Sequence, residues 1–335
     1  MRVGWYGCGF LGTVSDLLND LAMSHTNLFQ WDVAKDLLTE ALRIYEDYRQ
    51  HPHLGEYATQ RYYRVLGTMG TVAYAGEDAA GIRETANRII SELSDRYGEA
   101  REITFVPILT QAHLHMAQIL DQEATYDELE DRYLLATDIV DGFPEYESSL
   151  AGKITMMNIQ EKFGAFYMRY QKYDSAQQCL NRACRLLDQI LDQKITADYI
   201  GNMVSVNHEM GKLLTHQKDY ANAEKRLRHA LLCAQRFEQA TTMIFFKRSQ
   251  ALIYDSLARM YGSRHDRGDK KEETRHYALA AQLFDQVWES THSKTAGQDA
   301  AKAYQVLGAC YQKQGQSAKA TQSFHKAKKL LADIK

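Results

Sequence analysis

Small residues recur along this chain at a nearly fixed interval, at Ala22, Gly70, Ala117, Gly164, Gly211, Ala258 and Gly308. Their separations are 48, 47, 47, 47, 47 and 50 residues. Each sits in an apolar pattern with helical spacing, and each is followed by a second helical pattern of small and large residues. Helices cross closely where a small residue lets two backbones approach, and a large side chain fills the hole beside it. A period kept over all 335 residues therefore predicts seven helical hairpins and an all-α chain.

The clearest copy lies near the C-terminus: Tyr304, Leu307, Gly308 and Tyr311, then Gly315, then Ala320, Phe324 and Ala327. Phe163, Gly164 and Tyr167 with Tyr173, Ala176, Leu180 and Ala183 form another. Met210, Gly211 and Leu214 with Tyr220, Ala223, Leu227 and Ala230 form a third. This pattern resembles the tetratricopeptide repeat, in which an aromatic residue, Leu-Gly, Tyr, and then Ala, an aromatic residue and Ala recur at those positions. That repeat is usually about 34 residues long, so each unit here carries about a dozen more, which predicts helices of about 20 residues. The resemblance implies one right-handed α-α superhelix, a solenoid over residues 1–335. Long-helix arrays of this type occur in bacterial peptide-responsive regulators and in sensor arms of transcription activators.

Composition agrees with a helical chain. There are only three prolines, Pro52, Pro107 and Pro144, and the junctions at residues 51–53, 142–144 and 241–242 are short. A charged stretch over 262–275, with Gly262 and Gly268, predicts a solvated loop of about ten inserted residues in the sixth hairpin. It reads as a tolerated insertion, with a partner-contacting lobe as the alternative.

The N-terminus poses a competing reading. Gly7, Gly9 and Gly12 spell G-x-G-x-x-G, and Asp32 follows Gly12 by 20 residues, the interval of a dinucleotide-binding fingerprint. That reading, a nicotinamide-dependent enzyme, requires a strand before the glycines and a second strand ending at Asp32. The segment after Asp32 has a helical pattern (Val33, Leu37, Leu38, Ala41, Ile44, Tyr45, Tyr48), and the next hundred residues lack β-branched runs for a sheet. Residues 1–12 thus read as an apolar lead-in with Trp5 and Phe10, followed by a helix capped near Thr13 or Ser15.

No catalytic constellation emerges. His113 and His115 are two apart and point to opposite sides of a helix, His113 toward the core. The five cysteines lack metal-ligand spacing and indicate a reducing compartment. The net charge of −3 sets up no field toward nucleic acid, and no run approaches the length of a membrane helix. The reading is a cytoplasmic, non-enzymatic chain with no cofactor, no metal, and no direct partnership with nucleic acid or membrane.

In the family it resembles, first helices line the concave face through positions turned away from the packing glycine. The resemblance places Arg64 and Thr68 there in the second hairpin, Gln111, His115 and Gln118 in the third, and Asn158, Lys162 and Arg169 in the fourth. His208, Glu209 and Lys212 fall there in the fifth, and Asp255 and Arg259 in the sixth. Amides bond a peptide backbone in both directions, and Lys or Arg fixes a carboxylate. The expected partner is a protein or peptide segment, acidic or with a free carboxylate. A rival reading is a ligand-gated regulator whose array closes on a peptide or metabolite. The C-terminal Leu330, Leu331 and Ile334 and the apolar N-terminus predict that one end is covered, by a second copy or by a partner, or that the chain is part of a larger system.

Overall fold

A side chain from the second helix of a hairpin fills the gap that a small residue leaves in the first. In the computed structural model, a Cβ added at Gly164 would lie 2.7 Å from Leu180 Cγ, and one at Gly211 would lie 2.6 Å from Leu227 Cγ. At Gly308 the neighbour is Phe324, at 2.8 Å. In each case the filling residue is 16 positions after the glycine. The structure describes residues 3–27, 30–49, 55–76, 78–100, 103–120, 124–191, 197–241 and 244–334. Over these, the chain is helical with no strand.

The helices pair as the period predicts. The first six are α1 (Val3–Asn27), α2 (Trp31–Arg49), α3 (Gly55–Ala75), α4 (Ala79–Ala100), α5 (Val106–Ile119) and α6 (Tyr126–Asp141). Then come the short α7 (Pro144–Ser148), α8 (Leu150–Arg169), α9 (Tyr173–Leu191), α10 (Ala197–His216) and α11 (Tyr220–Thr241). The last are α12 (Ile244–Arg264), α13 (Asp269–Thr291), α14 (Lys294–Lys313) and α15 (Ser317–Asp333). Each of the seven small residues lies in the first helix of a pair, giving hairpins α1/α2, α3/α4, α5/α6, α8/α9, α10/α11, α12/α13 and α14/α15. Most helices are near the expected length, but α5 and α6 have only 14 and 16 residues.

The chain divides into two compact units, residues 1–159 and 160–335. In the second, the cores are continuous from one hairpin to the next. Leu227, Ala230 and Ala234 of α11 pack with Phe246, Ile253 and Leu257 of α12. Tyr277, Ala281 and Phe284 of α13 pack with Ala300, Ala301 and Leu307 of α14.

Local chemistry sets the ends of the helices. Thr125 and Glu128 form a reciprocal capping box at the start of α6. Three hairpin turns of the second unit share one geometry. Gln171, Lys218 and Gly315, each seven residues past the packing glycine, have φ of 59°, 63° and 73°. The next N–H donates back to Tyr167 O, Leu214 O and Tyr311 O, closing the α8, α10 and α14 ends with six-residue left-handed caps. His265, seven past Ala258, also has positive φ, 59°.

Four sequence expectations change. First, the G-x-G-x-x-G run lies inside α1, which is already helical from Val3, and Asp32 lies in the first turn of α2. The dinucleotide fingerprint needs a strand, a tight loop and a second strand at these places, so that reading fails on backbone geometry. By the same token, residues 3–12 are not a lead-in, and Thr13 and Ser15 are interior helical residues, not caps. The side chains of Trp5, Cys8 and Phe10 lie outside the described residues, as do the junction at 51–53 and residues 28, 29 and 242.

Second, residues 262–275 are not a loop of ten extra residues. α12 runs to Arg264 and α13 starts at Asp269, leaving a four-residue link. Arg264 ties it down, donating from Nη2 and Nε to the two Asp269 carboxylate oxygens at 2.7 and 3.0 Å and from Nη1 to Glu224 at 3.1 Å. The net insertion is the three residues by which the period rises from 47 to 50.

Third, the junction at 142–144 carries α7, whose backbone crosses the first turn of α8. A Cβ at Gly152 would collide with the Tyr146 carbonyl there. Fourth, the C-terminal apolar residues are partly satisfied within their own hairpin. Leu330 is buried, and Ile334 fills the space over Gly297, while Leu331 and Phe324 remain exposed.

Candidate functional site

Equivalent positions of adjacent first helices meet on one surface. Three residues before the packing residue stand Glu161, His208, Asp255 and Gln305 in hairpins four to seven; one residue after it stand Ala165, Lys212, Arg259 and Ala309. These two positions are four apart, so they share a helix face. Only hairpins five and six carry a cation there, which confines the charge to α10 and α12.

His208, Lys212, Asp255 and Arg259 line a cleft of about 610 Å³ between α10, α12 and α13. Thr215 and Leu252 contribute from the same helices, and Glu273 and Tyr277 close it from α13. Both cations are internally paired. Lys212 Nζ donates to both Glu209 oxygens at 2.8 and 2.7 Å, and Arg259 Nε donates to Asp255 Oδ2 at 2.6 Å. Lys212 is 37% exposed and Arg259 55%, so both still face solvent.

Below the rim, the His208 and Glu209 side chains are largely buried. His208 Nε2 lies 2.8 Å from Ser256 Oγ, bridging α10 to α12. Burial presses its pKa down to about 4, so the imidazole is neutral at pH 7. Burial works against ionisation of Glu209, but the charge and hydrogen bonds of Lys212, with a smaller contribution from Lys162, outweigh it and hold the carboxyl below its usual range. Glu161 behaves oppositely: burial pushes its pKa up, and the Glu209 charge adds to that. The two carboxyls are thus shifted in opposite directions, Glu209 toward ionisation and Glu161 away from it. Burial also raises the Tyr277 hydroxyl to about 12, leaving it a neutral hydrogen-bonding group.

The remaining expected residues lie elsewhere. Lys162 is half-buried near Glu161 and Glu209, and Arg169 is exposed at the end of α8. In residues 1–159, Arg64 is exposed on α3, and Thr68 bonds the Arg64 carbonyl oxygen at 3.1 Å. Asn158 and Gln118 are half-buried. Gln111 Nε2 and His115 Nε2 are 2.7 Å apart. His115, expected opposite the buried His113, is itself only 4% exposed, because the Tyr74 ring of α3 stacks on it at 5.4 Å. Glu273 and Tyr277 escaped sequence reading, which took the site from first helices alone. Tyr277 stands 19 residues after Ala258 where Leu227 stands 16 after Gly211, so the three-residue insertion hid the correspondence.

Among the described residues no group of three or more His, Cys, Asp or Glu side chains is arranged to hold a metal. No described helix is long and apolar enough to cross a membrane.

Comparison with known proteins agrees with this architecture. A tetratricopeptide repeat model matches residues 14–48, the first hairpin. The structure of a Rap protein complexed with competence and sporulation factor superposes with a TM-score of 0.61 at 15% identity, covering 96% of this chain and 77% of that one. BtubC (BKLC) from P. vanneervenii gives 0.58 at 16% identity, covering 76% and 92%. The apo form of RapI gives 0.55 at 13% identity, covering 96% and 98%. No curated protein matches the chain in sequence. The fold is that of the tetratricopeptide-like helical repeats.

Proposed function

From this array of tetratricopeptide-like hairpins we infer a peptide-binding module that holds a segment of a partner protein in the cleft between α10, α12 and α13. The observation that carries the reading is the convergence of His208, Lys212, Asp255 and Arg259, equivalent positions of two adjacent hairpins, on one cleft. The Rap structure with its bound factor supports the idea that a fold of this kind accommodates a ligand.

The wall is charge-balanced, with Lys212 and Arg259 set against Asp255 and Glu273. A strongly acidic segment would have to displace an ion pair to reach either cation. The cleft therefore suits a segment of little net charge, read by hydrogen bonds from Arg259, Thr215 and Tyr277 and by contact with Leu252. This narrows the acidic partner expected from the lysines and arginines alone.

Selection of phage-displayed random peptides on the purified chain, followed by fluorescence anisotropy of the binders, tests the reading. Arg259→Ala and Thr215→Val should each weaken the selected peptides at least tenfold, while Arg64→Ala leaves them unchanged. Equal affinity for all four proteins, wild type included, would remove the cleft as the site.

A further inference from the structure

A second concavity lies at the hairpin tips, away from the residues just described. It is a notch of about 520 Å³ between the first turns of α13 and the turn joining α14 to α15. Five cations line it, Lys270, Lys271, Arg275, Lys313 and Lys319, and no carboxylate does. Among the described residues Lys270, Lys271 and Lys313 form no ion pair, and all three are exposed. Unpaired cations facing one another repel unless something anionic lies between them.

The floor of the notch is fixed. Gln314 Nε2 donates to the Lys270 carbonyl oxygen at 3.0 Å and to Thr274 Oγ1 at 2.5 Å, tying the tip of one hairpin to the next. Gln316 Nε2 donates in turn to Gln314 Oε1 at 3.0 Å. The backbone that carries Lys270 and Lys313 is thus joined across the notch through Gln314.

We propose that this notch binds a short acidic segment of a protein partner, with carboxylates seated between Lys270, Lys271 and Lys313. Size and surroundings select that occupant. The notch takes a few residues, while Glu272, Glu273 and Asp266 stand close by on and before α13 and repel a longer polyanion. Lys319 Nζ already lies over the Tyr311 ring at 5.4 Å, so the one aromatic face of the notch is occupied and offers no stacking platform for a base.

The test is anisotropy with fluorescein-labelled hexaglutamate on the whole chain, beside a labelled Gly-Ser hexapeptide and a labelled ten-nucleotide oligothymidine. Hexaglutamate should bind, the Gly-Ser peptide should not, and raising salt from 50 to 200 mM should weaken binding several-fold. Lys271→Gln with Lys313→Gln should cost at least tenfold, and Lys271→Arg with Lys313→Arg should restore it. Arg259→Ala should leave hexaglutamate binding unchanged, which separates failure of this site from failure of the α10/α12/α13 cleft. No binding of hexaglutamate, equal binding by the double Gln variant, or tighter binding of the oligothymidine overturns the proposal.

Discussion

The same substitution at two glycines of one helix should have opposite effects. Gly201 and Gly211 both lie in α10, where glycine costs about 1 kcal/mol relative to alanine through backbone entropy. A Cβ at Gly201 meets nothing within 4 Å, so Gly201→Ala should stabilise the chain by about 0.5–1 kcal/mol. At Gly211 the added carbon would lie 2.6 and 2.7 Å from Leu227 Cγ and Cδ2. Leu227 is fully buried, so it cannot swing aside into solvent. Overpacking of this kind costs about 1–3 kcal/mol, which outweighs the helix gain. The two variants should differ by about 1–3 kcal/mol, read as urea midpoints by circular dichroism. With a slope of about 3 kcal/mol per molar urea, that is about 0.3–1 M. A third arm isolates the collision: in a Leu227→Ala background, Gly211→Ala should no longer destabilise. If Gly211→Ala stabilises as much as Gly201→Ala, or destabilises equally with and without Leu227, the crossing-glycine account of the hairpins is wrong.

Two further predictions concern turns and acid stability. Lys218 occupies a left-handed position that glycine holds at Gly315, so Lys218→Gly should raise the urea midpoint by the equivalent of about 0.5–1 kcal/mol, and Gly315→Ala should lower it by about 1–2 kcal/mol. His113 is buried, and desolvation, helped by Arg132, lowers its pKa from 6.5 to about 4. The folded state therefore binds fewer protons than the unfolded one between these values. Its contribution to stability is intact above pH 6.5 and is lost as pH falls toward 4, about 2 kcal/mol of it between pH 7 and 5. The urea midpoint of His113→Gln relative to wild type should rise over that range, and the His113 ring protons should titrate near pH 4 by NMR.

The hairpin count was legible because crossing sites demand a small residue whatever surrounds them. All seven landed in first helices, including Ala22 and Ala258, where alanine replaces glycine. The N-terminal glycines misled because local propensity favours a loop, whereas α1 packs along α2 and stays helical through all three. The turns were hidden for the opposite reason. Gln171, Lys218 and His265 adopt a backbone that normally advertises itself by glycine, and only Gly315 did so. Within the candidate site, His208, Lys212, Asp255 and Arg259 could be placed by repeat position alone. Their pairing with Glu209 and between themselves could not, since a helix face shows which charges are neighbours but not which are satisfied. The burial of His115 likewise depended on Tyr74, a residue of another hairpin.

In all four hairpin turns of the second unit a left-handed residue comes seven positions after the crossing residue, at Gln171, Lys218, His265 and Gly315. Seven residues of helix measure about 10 Å. The chain in this unit thus carries a ruler: each first helix extends the same distance past its crossing before it reverses. Counting brings the tips to a common height, and contacts such as those of Gln314 with Lys270 and Thr274 then join them, so the display of Lys270, Lys271 and Lys313 rests on the turn positions as well as on the core.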